Sequence, residues 1–162
     1  MKKIVLASAI LFALMTGCKD EEPVVETTPS DVRDVVIGDY TCNYKVFDAG
    51  SGKERDKGSF EVEILKNPAD DAKFDFRIDG LTLLMSGTNL TAVSEGYSFS
   101  IPEQTVDRFG ELVGREIINV PDQTTRVAGY FITATNGLQC FCERATKVGS
   151  EDDLFEFTLV RK

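Results

Sequence analysis

The chain contains no histidine. That absence removes the commonest general base, the catalytic triads that turn on imidazole and the commonest zinc ligand, so a non-catalytic protein with no metal and no other cofactor is expected. Carboxylate pairs and serine or lysine nucleophiles need no imidazole, but residue order alone assigns no two acids as a glycosidase pair. Also lacking, beyond the first residues, is any stretch of about ten residues with a helical apolar stripe. This weighs against the α/β architectures that carry cofactors at strand ends. The apolar run Ile4 to Met15 is too short to cross a bilayer, which takes ~20 residues. Positive charge is scarce: 18 basic residues stand against 27 acidic ones, a formal balance of −9. Removing residues 1 to 17 takes away Lys2 and Lys3 and no acid, which moves the balance to −11. A surface of that sign repels phosphate backbones and anionic headgroups, so no nucleic-acid partner and no electrostatic adsorption to membranes are expected.

What is present begins with Cys18. Lys2 and Lys3 give a positive start, the apolar run follows, and Thr16-Gly17 are the small residues a signal peptidase needs beside its cut. The stretch Leu14-Met15-Thr16-Gly17-Cys18 resembles the lipobox of bacterial lipoproteins. That resemblance implies a leader over 1–17 and acyl chains on Cys18, with membrane attachment by lipid; several chains anchor stably where one, at roughly 0.8 kcal/mol per buried methylene, would not. Lys19-Asp20-Glu21-Glu22 resembles the export signal of Bacteroidetes lipoproteins, which implies an outer-membrane location facing the cell exterior; it also reads as an ordinary charged linker. Residues 18–33 are acidic, proline-punctuated and poor in large apolar side chains, the composition of an extended tether. Residues 34–162, about 130 in number, suit a single domain.

Within that body the dominant signal is alternation with a period of two, the mark of half-buried strands. Tyr40, Cys42, Tyr44 and Val46 share one parity; Phe60, Val62 and Ile64 alternate with Glu61 and Glu63; Phe74, Phe76 and Ile78 alternate with Asp75 and Arg77. Leu81 to Met85 and Asn89 to Val93 read as two shorter runs separated by Ser86-Gly87-Thr88. Gly96 to Ile101 places Tyr97, Phe99 and Ile101 on one side. The segment from Glu103 to Pro121 has no regular spacing. Arg126 to Ala134 resumes the strand pattern, with Gly129 marking a bulge or bend. Asn136-Gly137 is a hairpin signal leading into Leu138 to Arg144, and Leu154 to Arg161 closes the series. Short polar turns between these runs imply antiparallel meander connections and an all-β barrel or sandwich.

Gly38-Asp39-Tyr40 at the head of the first run resembles the Gly-x-Trp signature with which lipocalins and other calycins begin their barrel, with tyrosine in place of tryptophan. The ending Phe155-Glu-Phe-Thr-Leu-Val-Arg161-Lys162 and the stretch Val127-Ala-Gly129 resemble strands of calycin-like Bacteroidetes lipoproteins. The resemblance implies an antiparallel meander barrel of about eight strands, and a pair in which Arg161 packs over Tyr40 as the barrel closes.

Other motifs point to turns and strands. Gly50-Ser51-Gly52-Lys53 lacks the phosphate-loop pattern. Ser98 lies on an alternating run that cannot form a nucleophile elbow, and is expected to face solvent. Cys140-Phe141-Cys142 has too short a spacing for a zinc knuckle. Glu151-Asp152-Asp153 and Asp70-Asp71 lack calcium-loop spacing and read as solvated turns. An envelope location permits oxidation, so Cys42 is expected either to bridge to Cys140 or Cys142, or to lie with both of them as a small buried apolar residue. The inward set is rich in rings, and an eight-stranded barrel is just wide enough to be filled by side chains or to hold one small ligand. If a pocket exists, parity nominates Tyr40, Tyr44, Phe76, Tyr97 and Phe99 as its lining. The expected function is therefore binding of a small lipophilic ligand or an envelope partner, or docking on another envelope protein with a packed barrel and no ligand.

Overall fold

A computed structural model describes residues 31–79, 82–107, 109–121, 123–145 and 153–162. The leader, Cys18 and nearly all of the expected tether lie outside these residues. Among the described residues ten strands form one sheet that closes on itself. They are β1 (Gly38–Asp48), β2 (Glu54–Lys66), β3 (Lys73–Ile78), β4 (Thr82–Val93), β5 (Gly96–Ser100), β6 (Gln104–Val106), β7 (Gly110–Gly114), β8 (Gly129–Ile132), β9 (Gly137–Arg144) and β10 (Asp153–Arg161). Eight of them run round the barrel in the order β1-β2-β3-β4-β5-β8-β9-β10, and β10 pairs back onto β1. Every pairing is antiparallel.

Alternation sets which residues fill this cylinder. Tyr40, Cys42, Tyr44 and Val46 of β1 are buried, as are Phe155, Phe157 and Leu159 of β10, while the residues between them are more exposed. Closure follows from the same pattern, because a sheet with one apolar face removes it from water by curling round it and leaves few unpaired edges.

Several local expectations are corrected. Ser86-Gly87-Thr88 does not divide two runs: β4 continues through it, and the register shift comes later, between Thr88 and Thr91, where Asn89 takes a φ of 57°. A bulge of this kind inserts a residue without ending the strand. Gly129 is neither bulge nor bend; a Cβ there would lie 2.1 Å from two carbons of the Phe99 ring, so the missing side chain makes room for an inward aromatic. Gly87 accommodates Phe74 in the same way. The hairpin before β9 is not a two-residue turn, since Thr133–Thr135 form a 3₁₀ turn and only Asn136 is left-handed, with φ 48°.

The irregular stretch after β5 makes two structures. Strands β6 and β7 form a small hairpin in which β7 pairs with the end of β9 and β6 lies outermost. The Gln104 side chain supplies the missing link to β4: its Oε1 accepts from Ser86 N at 2.6 Å and its Nε2 donates to Ser86 O at 2.9 Å. An amide thus takes the place of a backbone ladder. The following residues, 115–121 and 123–128, form an arm across the outside of the barrel, held by the Ile118–Val127 bridge, by Arg115 N to Phe141 O at 2.8 Å, and by Ser94 Oγ to Pro121 O at 3.3 Å. Val120 and Tyr130 are buried on this outer side, apart from the inner core. The Tyr130 hydroxyl is buried without a partner, and burial together with the nearby Glu95 pushes its pKa up.

Candidate functional site

The barrel interior, the expected place for a ligand, is filled. In its middle, Phe74 meets Phe99 edge-on at 5.2 Å and Phe76 at 5.5 Å between ring centroids. Toward the far end, Phe109 from the β6–β7 turn drops onto Tyr44 at 5.2 Å, Phe155 at 5.5 Å and Phe157 at 5.6 Å, all in edge geometry. Such tilted pairs are the preferred arrangement of aromatic quadrupoles. Tyr40 and Phe76 have no exposure, Phe99 has 2% and Tyr44 has 3%. Those four nominated residues therefore pack inside the barrel, because parity shows that a ring points inward but not whether another ring meets it there; Tyr44 and Phe99 also edge clefts on the outside. Tyr97 alone of the five is only partly buried. It lines a cleft of about 630 Å³ at the rim of the barrel, with Ala92, Val93, Glu95, Ile132 and Ala134.

The end at which the chain enters the barrel is closed by two arginines. Asp31 caps the 3₁₀ turn Val32–Val35, accepting from Arg33 N at 2.9 Å. The Arg33 side chain, which sequence reading left in the tether, folds back and is buried; it pairs with Asp31 at 2.7 Å and donates to the carbonyls of Asp70 at 3.3 Å and Lys73 at 3.1 Å. The hydrogen bonds from Arg33 hold the Asp31 carboxyl well below the usual carboxylate range. Beside this, Arg161 stands opposite Tyr40 in the β1–β10 register, with its guanidinium 5.4 Å from the Tyr40 ring centroid and 5.8 Å from that of Phe131. Its Nη2 donates to Val35 O at 3.1 Å and to Ile37 O. Tyr40 donates its hydroxyl to Val36 O at 2.8 Å, and burial raises its pKa against the lowering effect of Arg161. Carbonyls before β1 and in the β2–β3 connection are thus satisfied by cations and a phenol.

The opposite end carries a ring of charges at the surface. Arg55 pairs with Asp48, and with Asp153 at 2.8 Å; Arg144 also reaches Asp153, at 3.2 Å, and donates to Phe109 O at 3.0 Å. Tyr44 donates to Asp56 at 3.2 Å. A cleft of about 300 Å³ lies among Val46, Arg55, Arg144, Asp153 and Phe155. Sequence reading missed Phe109, which lies in a turn outside any alternating run, and Arg144, which ends the β9 run on its inward parity but is a cation among apolar residues; the one available signal for Phe109 was a lone large ring in a turn.

The three body cysteines are free and buried. The expected bridge from Cys42 is not formed. Cys42 on β1 faces Leu159, Cys140 on β9 faces Phe157, and β10 lies between the two strands. Two ladder steps separate their backbones by ~9.5 Å, beyond the ~7 Å a disulfide can span. Burial pushes the Cys42 and Cys142 thiols up to about 12 and Cys140 well above its ordinary value, which makes all three poor nucleophiles. Among the described residues no cluster of acids and cysteines is arranged to hold a metal.

No protein-family model, curated protein or solved structure matches the chain.

Proposed function

We propose that this is a lipid-anchored lipoprotein of the bacterial outer membrane, facing the exterior, which works without catalysis by presenting the surface of a packed barrel to an envelope partner. The observation that carries the reading is the filled interior: rings in contact along the barrel leave its outside, its rims and its arm as the parts available for binding. The anchor rests on the lipobox-like Cys18, and the acidic body needs such an anchor because its charge disfavours adsorption. Mass spectrometry of the protein extracted from membranes tests it. The expected result is an N-terminal peptide that begins at acylated Cys18, and a Cys18→Ala variant that loses this modification. An unmodified chain with its leader intact would remove the anchor from the reading. Cross-linking on intact cells should then yield one dominant attached protein.

The Tyr97 cleft favours a second reading, binding of a small apolar molecule. Its volume suits a ligand site, and its lining is largely apolar. Saturable uptake of an environment-sensitive lipophilic dye, lost in Ile132→Asp but kept when the far rim is altered, would support this reading over protein docking.

A further inference from the structure

Outside the barrel, a cleft of about 410 Å³ lies between the wall and the arm, lined by Asn89, Ser98, Ser100, Glu116, Gln123 and Arg126, with Phe99 and Val127 as apolar edges. Ser98 is its most telling member. Alternation puts Ser98 on the outer face of β5, where it pairs in register with Tyr130 and Thr91, yet the residue is only 7% exposed. Its hydroxyl has no hydrogen-bond partner among the described residues, although the residue lines the cleft. The hydroxyl stays open to the cleft, so its hydrogen bond comes from water there or from a ligand that replaces the water.

The other lining groups are similarly unspent. Arg33, Arg55, Arg77, Arg115 and Arg144 each hold an acid, and Arg161 holds backbone carbonyls. Arg126 alone of the described arginines makes no such contact, and Glu116 in the same cleft has no cation partner among the described residues. Their charges cancel across the cleft without pairing with each other. An anion would meet Glu116 and a simple cation would meet Arg126, while an aliphatic ligand would strand nearly every lining group. A ligand that is neutral and carries donors and acceptors side by side satisfies them together: vicinal hydroxyls can bridge a carboxylate, a guanidinium or a side-chain amide, and can reach Ser98 at the wall.

We propose that this cleft binds a neutral saccharide of one or two rings. The site is separate from the barrel interior and from the Tyr97 cleft, and it does not depend on the lipid anchor. Glu116 and Arg126 would grip hydroxyls from the arm side, with Asn89, Ser98 and Ser100 reading them from the wall.

Saturation-transfer NMR on the full chain tests this with glucose, galactose, mannose, N-acetylglucosamine, maltose, cellobiose and lactose as probes, and with alanine and glutamine as zwitterionic competitors. At least one sugar should receive saturation and titrate to a plateau, and the amino acids should not displace it. Glu116→Gln with Arg126→Gln, both exposed and without ion-pair partners among the described residues, should keep the melting temperature and weaken binding at least about tenfold. Ser98→Ala should weaken it in the same direction, and Ala134→Arg, at the other cleft, should leave it unchanged. Absence of transfer to every sugar, equal binding by the Gln variant, or binding of the amino acids alone would overturn the proposal.

Discussion

The two ends of the barrel are both closed by arginine and aromatic side chains, but by different physics. At the entry end the cations donate to backbone carbonyls, Arg33 to Asp70 and Lys73 and Arg161 to Val35 and Ile37, and the Tyr40 ring beneath them has no exposure. At the far end the cations mainly hold carboxylates at the surface, with the Arg55 side chain 52% exposed and Arg144 38% exposed. Hydrogen bonds to carbonyls in a dry site satisfy groups that have no alternative, whereas exposed ion pairs exchange one set of hydrated charges for another. The entry end is therefore a fixed closure. The far end is a cover that can rearrange at little cost.

The largest expected effect breaks the fixed end. Tyr40→Ala removes a fully buried ring, its hydrogen bond to Val36 and the platform under Arg161, and should cost ~3–5 kcal/mol in chemical denaturation. Phe109→Ala removes a ring of similar size at the far end, where the residue is 8% exposed and its turn can collapse, so a loss of ~2–3 kcal/mol is expected. Equal losses would mean that the two closures do not differ. Next comes Arg161→Lys, which keeps the charge but loses the planar contact with Tyr40 and the reach to two carbonyls; about 1–2 kcal/mol is expected, with no recovery at low salt.

The contrast also marks what local sequence could and could not show. Strand parity was legible wherever a strand is half-buried, as in β1 and β10, because alternation there reports one wet and one dry face. The opposition of Tyr40 and Arg161 followed from a family resemblance at the first and last strands, not from spacing. Ser98 was misread as solvent-facing because the arm that covers it arrives from residues 115–121 and 123–128, and a period of two carries no information about a distant cover. The filling of the interior was illegible for a related reason: Phe109 enters from a turn rather than from an alternating strand, so no parity count includes it. Arg33 looked like part of the tether because its partners, Asp70 and Lys73, lie far along the chain.

Acid sharpens the comparison further. Arg33 holds the folded-state pKa of Asp31 below its ordinary value of 3.8, so the contribution of this carboxylate is complete above that pH and fades as pH falls toward the folded value. Unfolding followed from neutral pH downward should thus show no loss from this pair until the solution is more acidic than about pH 4. Asp31→Asn should be less stable than the parent at neutral pH and should converge with it in strong acid. A difference that persists unchanged through the acid range would assign the effect of the substitution to packing rather than charge.

The smallest effect is expected at the far rim. Arg55 joins Asp48 and Asp153 from an exposed position, where water already stabilises both signs and the long side chain gives up rotamer freedom to hold its geometry. Asp48 accepts from the Ser51 backbone and side chain as well, so it keeps hydrogen-bond partners when the arginine is removed. Arg55→Ala should therefore shift the denaturation midpoint only slightly at low salt, and the shift should disappear as salt shortens the Debye length toward ~3 Å at 1 M. Arg161→Lys, whose lost contacts are stacking and carbonyl bonds, should show no such recovery. A salt-insensitive loss in Arg55→Ala would show that the rim cations act as the entry-end cations do, and the two closures would then be variants of a single device.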